Sequence, residues 1–149
     1  MLYEFANDNH INIVNGKFSE TKKAVCMGTR RHKNIIINKP AIESRAEETV
    51  ILSEEIGHFE TGALYVIQST YNTPIARSNR IKFEAKARHW AYSTHCQPYE
   101  IEAAYALMGT YGDAAVADYC SVTVEFLHNA IEHHRACGFV FSFDDNNCA

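Results

Sequence analysis

Glu54, Glu55 and His58 lie in the run Val50-Ile51-Leu52-Ser53-Glu54-Glu55-Ile56-Gly57-His58-Phe59. On a helix, at about 100° per residue, Glu54 and His58 stand one turn apart on one face. Val50 and Ile51 share that side, while Leu52, Ile56 and Phe59 cover the other. A helix apolar nearly all round is a buried helix. A buried Glu–His pair must be compensated, because an isolated buried charge is strongly unfavourable. Two solutions are open: the pair hydrogen-bonds to itself, or it offers a metal two ligands one turn apart. Glu55, beside the first of them, reaches the same cavity from the flank. Gly57 bears on the choice. A glycine inside a helix costs about 1 kcal/mol relative to alanine, and is tolerated where another backbone or a ligand comes close.

A second helix offers a further donor. The run Phe83-Glu84-Ala85-Lys86-Ala87-Arg88-His89-Trp90-Ala91 begins 25 residues after His58. Ala87 and Ala91 fall on the Glu84 side, small enough to let a neighbouring helix approach. Glu84 there would complete a three-ligand site with a fourth position for water, the open coordination of catalytic zinc. The plainer role for Glu84 is that of a solvated acid in a first helical turn.

These residues need elements to hold them. The 149 residues, 46% hydrophobic and 21% charged, make one domain of ordinary globular composition. Fourteen Lys and Arg against eighteen Asp and Glu give a net charge of −4. With neither a basic balance nor a basic stripe, direct nucleic-acid binding is not expected. No apolar run is long enough to span a membrane. The first residues lack a basic, signal-like segment. Cys26, Cys96, Cys120, Cys137 and Cys148 are odd in number, spread out and without a Cys-x-x-Cys pair. They read as reduced thiols in a cytoplasmic protein.

A short helix is expected over the first eight residues, a brief apolar run at Ile11–Val14, and strands at Lys22–Met27 and Asn34–Asn38. A helix follows from about Ile42 to Phe59, stopped at Gly62. Leu64–Ile67 is a short strand candidate. Ser78 or Asn79 would cap the long second helix, which runs to about His95. Pro98 suits the first position of a helix to Met108. Short and longer helices follow near 113–119 and from Thr123 to Cys137. Phe139-Val140-Phe141-Ser142-Phe143 alternates like an edge strand. The order is a small sheet, then helices: α+β.

The run Ile51–Phe59, followed by Glu84-x-x-Ala87-x-x-Trp90-Ala91, resembles the ImmA/IrrE family of metallopeptidases, above all its short members from phages and integrative elements. Asn34–Asn38 resembles the strand before that family's active-site helix, and Ala117–Leu127 its C-terminal helical pair, so the likeness covers most of the chain. It implies a single zincin-like domain over 1–149, with sheet and metal-site helices over about 1–97 and a C-terminal helical part over about 98–149. It places metal ligands at His58 and Glu84 and the general base at Glu55. The family's common motif is His-Glu-x-x-His, and here the first ligand position is Glu54. Glutamate ligates zinc through oxygen. Two carboxylates and one imidazole nearly neutralise a divalent ion, so bound water is acidified less and manganese or iron become competitors.

The implied activity is that of a zinc-dependent endopeptidase acting on a helix-turn-helix repressor of a mobile element. The alternative is a weak or inactive metallopeptidase fold that binds a regulatory partner. A DNA-binding role for residues 113–137 is disfavoured by Asp113, Asp118, Glu125 and Glu132 against Arg135 alone. His133 and Cys137, four apart, are a weaker metal pair. Arg88 reads as an ion-pair partner of Glu84 or Glu55, and Arg30-Arg31-His32-Lys33 as a solvated loop tip. His133 and His134 read as helix-surface residues.

Overall fold

The computed structural model describes residues 2–18, 21–29, 31–63 and 73–144. Helix α1 (Leu2–Asp8) leads into strands β1 (Ile11–Asn15), β2 (Ala24–Gly28) and β3 (Lys33–Ile37). The strands form one sheet in the order β1-β3-β2, with β1 parallel and β2 antiparallel to β3. The β-branched run Asn34–Asn38 thus forms the centre of the sheet, where Ile35 and Ile37 are fully buried. A one-turn 3-10 helix at Lys39–Ala41, with Pro40 inside it, ends β3.

Ser44 then opens α2 (Arg45–Glu60), its hydroxyl accepting the Glu47 amide proton. Lys23, just before β2, and Lys33 in β3 pair with Glu47 and Glu60 near the two ends of α2. Helices α3 (Pro74–His95), α4 (Pro98–Met108), α5 (Asp113–Tyr119) and α6 (Val124–Ala136) complete the described chain. The architecture is α+β, a three-stranded sheet with six α-helices among the described residues.

Two apolar clusters form. Ala6, Ile11, Ala24, Ile35 and Ile37 of α1 and the sheet pack against Leu52, Ile56 and Phe59 of α2. Ala91 and Tyr92 of α3 pack with Ile101, Val116, Phe126, Leu127 and Phe141 of the C-terminal part. Trp90 touches both clusters and lies with its ring 5.7 Å from that of Phe5.

Three expectations are corrected. Helix α3 starts at Pro74, not after Ser78 or Asn79, because Thr73 accepts the Ala76 amide proton and proline fixes the first turn. Residues 75–79 thus belong to the first turns of α3 and are largely solvent-exposed. Phe139–Phe143 is not a strand. Gly138 adopts φ +91°, Asp144 accepts the Phe141 amide proton and pairs with Arg135, and the bend plugs Phe141 into the helical core. His134 is buried rather than at the surface, because α6 crosses the end of α3 and its Nε2 donates to the Cys96 carbonyl at 2.6 Å. The strand expected at Leu64–Ile67, Arg30 of the basic loop and Cys148 lie outside the described residues.

The tightest crossing joins α2 to α3. A Cβ on Gly57 would stand 2.5 Å from the Ala87 carbonyl oxygen and 3.1 Å from its carbon, both backbone atoms. This makes Gly57→Ala a discriminating variant. Helix propensity alone predicts stabilisation of about 1 kcal/mol, whereas overpacking against a backbone predicts a loss of about 1–3 kcal/mol. A lowered thermal midpoint is expected, and an equal or raised one would show that the two helices are not held this close.

Candidate metal centre

His58 stands next to the crossing residue Gly57, and Glu84 stands one turn before Ala87 on the facing helix. Their placement follows from the crossing: His58 Nε2 lies 3.5 Å from Glu84 Oε2. On its other side the imidazole Nδ1 lies 2.9 Å from the Ala63 carbonyl oxygen. A carbonyl only accepts, so Nδ1 carries the proton in that contact. Nε2 then faces the Glu84 carboxylate as a second acceptor unless the ring is protonated. With a neutral ring the two acceptors would suit a cation between them, and with a protonated ring His58 pairs with Glu84 directly. A backbone carbonyl fixing the far nitrogen of an imidazole is also the usual outer-shell arrangement of a ligating histidine.

The spacing agrees with that chemistry. Nitrogen and oxygen donors at about 2.0–2.2 Å from a tetrahedral zinc stand about 3.3–3.5 Å apart. His58 is only 5% exposed, and the Glu84 side chain is about one-third exposed, so the pair is dry on one side and open on the other. Glu54 lies one turn before His58, half-buried, and feels the charges of Glu84, Glu55 and His58. Among the described residues, no three His, Cys, Asp or Glu side chains are already gathered around one cation position. The structure therefore brings His58 and Glu84 together, with Glu54 flanking them. The donor set of one imidazole and two carboxylates suits a divalent ion.

Burial pushes the Glu54 carboxyl above its ordinary value, opposed by the Arg88 guanidinium and reinforced by Glu84 and Glu55. Arg88 thus favours the charged form of Glu54. Glu55 is raised too, chiefly by burial, while His58 and hydrogen bonds from Cys26 favour its charged form. Cys26, in mid-β2 opposite Ile35, is a residue that sequence reasoning missed. Burial and the Glu55 charge push its thiol up to about 12, so it stays a donor to that carboxylate. No local motif marks it, since only the strand register sets Cys26 under Glu55.

The weaker metal pair, His133 and Cys137, does meet, with Nε2 and Sγ 3.9 Å apart. His133 also has Ser93 Oγ at 3.4 Å and stacks on His89. His95 is remote from the His58–Glu84 pair in sequence, with its ring edge-on to Trp90.

No family model, no curated protein and no solved structure matches this chain.

The site predicts one divalent ion per chain after incubation with zinc and desalting. His58→Ala should drop the measured content to background and Glu84→Gln should lower affinity about 10-fold or more, with His133→Ala unchanged. Elemental analysis decides it: metal that survives in His58→Ala but disappears in His133→Ala would move the centre to α6.

Proposed function

We propose that this chain is a metal-dependent endopeptidase of the ImmA/IrrE, zincin-like kind. The observation that carries the reading is the His58 imidazole, anchored at Nδ1 by Ala63 and presenting Nε2 to Glu84, with Glu55 on the same helix beside it. His58, Glu84 and Glu54 would hold the ion. Zinc fits this set, and its carboxylate content admits manganese or iron. When bound, such an ion supplies Lewis acidity toward a peptide carbonyl and the attacking water.

The protein's own part is proton handling and exclusion of bulk water. Glu55 is the base that takes a proton from the attacking water and returns it to the leaving amine. Its burial raises its basicity, and Cys26 fixes its direction from the strand beneath. Arg88, exposed on the next turn of α3 after Glu84, offsets the negative charge of Glu54. The resemblance to the ImmA type supplies the substrate class: a folded helix-turn-helix repressor of a mobile element. Helices α4–α6 carry no catalytic motif and are available to position such a substrate, replacing chance encounter by held proximity.

Glu55→Gln tests this reading. Glutamine keeps the shape and cannot accept a proton, so the variant should retain metal and thermal midpoint while cleavage of a helix-turn-helix repressor that the unaltered protein cuts falls by about 10²–10⁴-fold. Casein should be cut weakly or not at all by the unaltered protein. Undiminished cleavage by Glu55→Gln would assign the base elsewhere. Tight repressor binding without cleavage at any metal loading would leave a binding module in place of an enzyme.

A further inference from the structure

The fixed positive charges of this chain are segregated. Between Arg88 and Arg135 there is no Lys or Arg, while Glu100, Glu102, Asp113, Asp118, Glu125 and Glu132 fall in that interval. Within it, α4 buries Ile101 and Ala104. Its opposite side is also apolar: Tyr99, Ala103, Ala106 and Leu107 are all exposed, with Tyr99 at 62% and Leu107 at 60%. At 100° per residue these four form one stripe opposite the buried side, with Glu100 bordering one edge and Glu102 the other. Tyr111, 76% exposed, follows in the 3-10 turn Gly109–Tyr111 that directly extends α4.

An isolated surface leucine needs no explanation, but a continuous stripe with a tyrosine at one end and a leucine at the other does. Its layout is that of an interface, with an apolar centre, an aromatic anchor and a charged border. Both border charges are negative, and each is fixed in place. Glu100 accepts the Gln97 amide proton at the start of α4, and Glu102 accepts that of Ser142. A second copy presenting the same stripe would set like charges against each other, unless an offset separated them. A basic helix suffers no such repulsion.

We infer that the outer face of α4 is a docking surface for a protein partner that presents an amphipathic helix with an apolar centre and Lys or Arg along its borders. The charge border selects the partner's sign and steers the encounter, and the Tyr99–Leu107 stripe supplies the contact area. This surface is remote in sequence from Glu54, Glu55, His58 and Glu84, and its occupancy does not depend on whether those residues hold a metal.

The test uses the full chain in chelator, so that binding is read apart from hydrolysis. Two synthetic helical peptides share a leucine face. One carries lysines along its borders and the other glutamates. Fluorescence anisotropy should show the lysine peptide binding about tenfold or more tighter, with the difference shrinking as salt is raised. The variant Ala103→Lys with Ala106→Lys, both at exposed positions, should weaken the lysine peptide by about tenfold or more while circular dichroism stays unchanged. Failure of both peptides to bind, equal binding of both, or binding indifferent to the double substitution would each overturn the inference. So would sedimentation showing a dimer that the same substitution dissolves, since the face would then belong to a second copy. Loss of repressor cleavage in Glu55→Gln with peptide binding intact would separate this surface from the catalytic reading.

Discussion

The candidate centre depends on one close contact, the approach of α2 to α3 at Gly57. With any side chain at that position, the Ala87 carbonyl could not lie where it does. Because His58 adjoins Gly57 and Glu84 is one turn from Ala87, the crossing that the glycine permits also brings Nε2 and Oε2 within 3.5 Å. Ala87 and Ala91, both fully buried, continue the small surface along α3. The conformational cost of a helical glycine is thus offset by what it brings together.

The electrostatics of this neighbourhood run against stability. Three carboxylates, Glu54, Glu55 and Glu84, share a partly dry space with one imidazole. Burial disfavours the charged forms of Glu54 and Glu55, and each feels negative neighbours. A chain selected only for stability would have replaced such a group with apolar residues of like volume. What compensates is placed with care: Arg88 toward Glu54, Cys26 beneath Glu55, and Ala63 holding the far side of the imidazole. Negative charge concentrated around an oriented imidazole is the kind of environment the proposed divalent cation would relieve.

Much of this was legible in the sequence where local chemistry decides. The Glu54–His58 spacing, the glycine between them, the Thr123 cap and Pro98 at the head of α4 are each set within a turn of helix. Thr123 accepts the Phe126 amide proton as a hydroxyl at that position should. Tertiary context decided the rest. The alternation in Phe139–Phe143 has the period of a strand, but among the described residues no strand pairs with it, and Arg135 with Asp144 folds it into a bend instead. His134 is polar and sits among helix-surface types, yet the path of α6 across the end of α3 buries it. Cys26 could not be found at all, because its partner is 29 residues away and the register of β2 on β3 sets the meeting.

Helix α3 is the element through which the two regions of the molecule act on one another. Its first half sets Glu84 and Ala87 against α2, and its second half sends Ala91, Tyr92 and Cys96 at its C-cap into the helical core. Its end is held by α6, through the bond from His134 to the Cys96 carbonyl. The distance from Glu84 to His95 along the axis is about 16 Å at 1.5 Å per residue. No flexible linker intervenes over that span, so a body seated on the C-terminal helices would have its position set relative to Glu84 by a rigid rod. For the proposed endopeptidase, such rigidity would suit selectivity better than general hydrolysis. A cleft that takes any extended peptide gains little from a fixed platform nearby. A folded substrate gains a great deal, because its susceptible bond can be brought to the centre only if its body rests in one place.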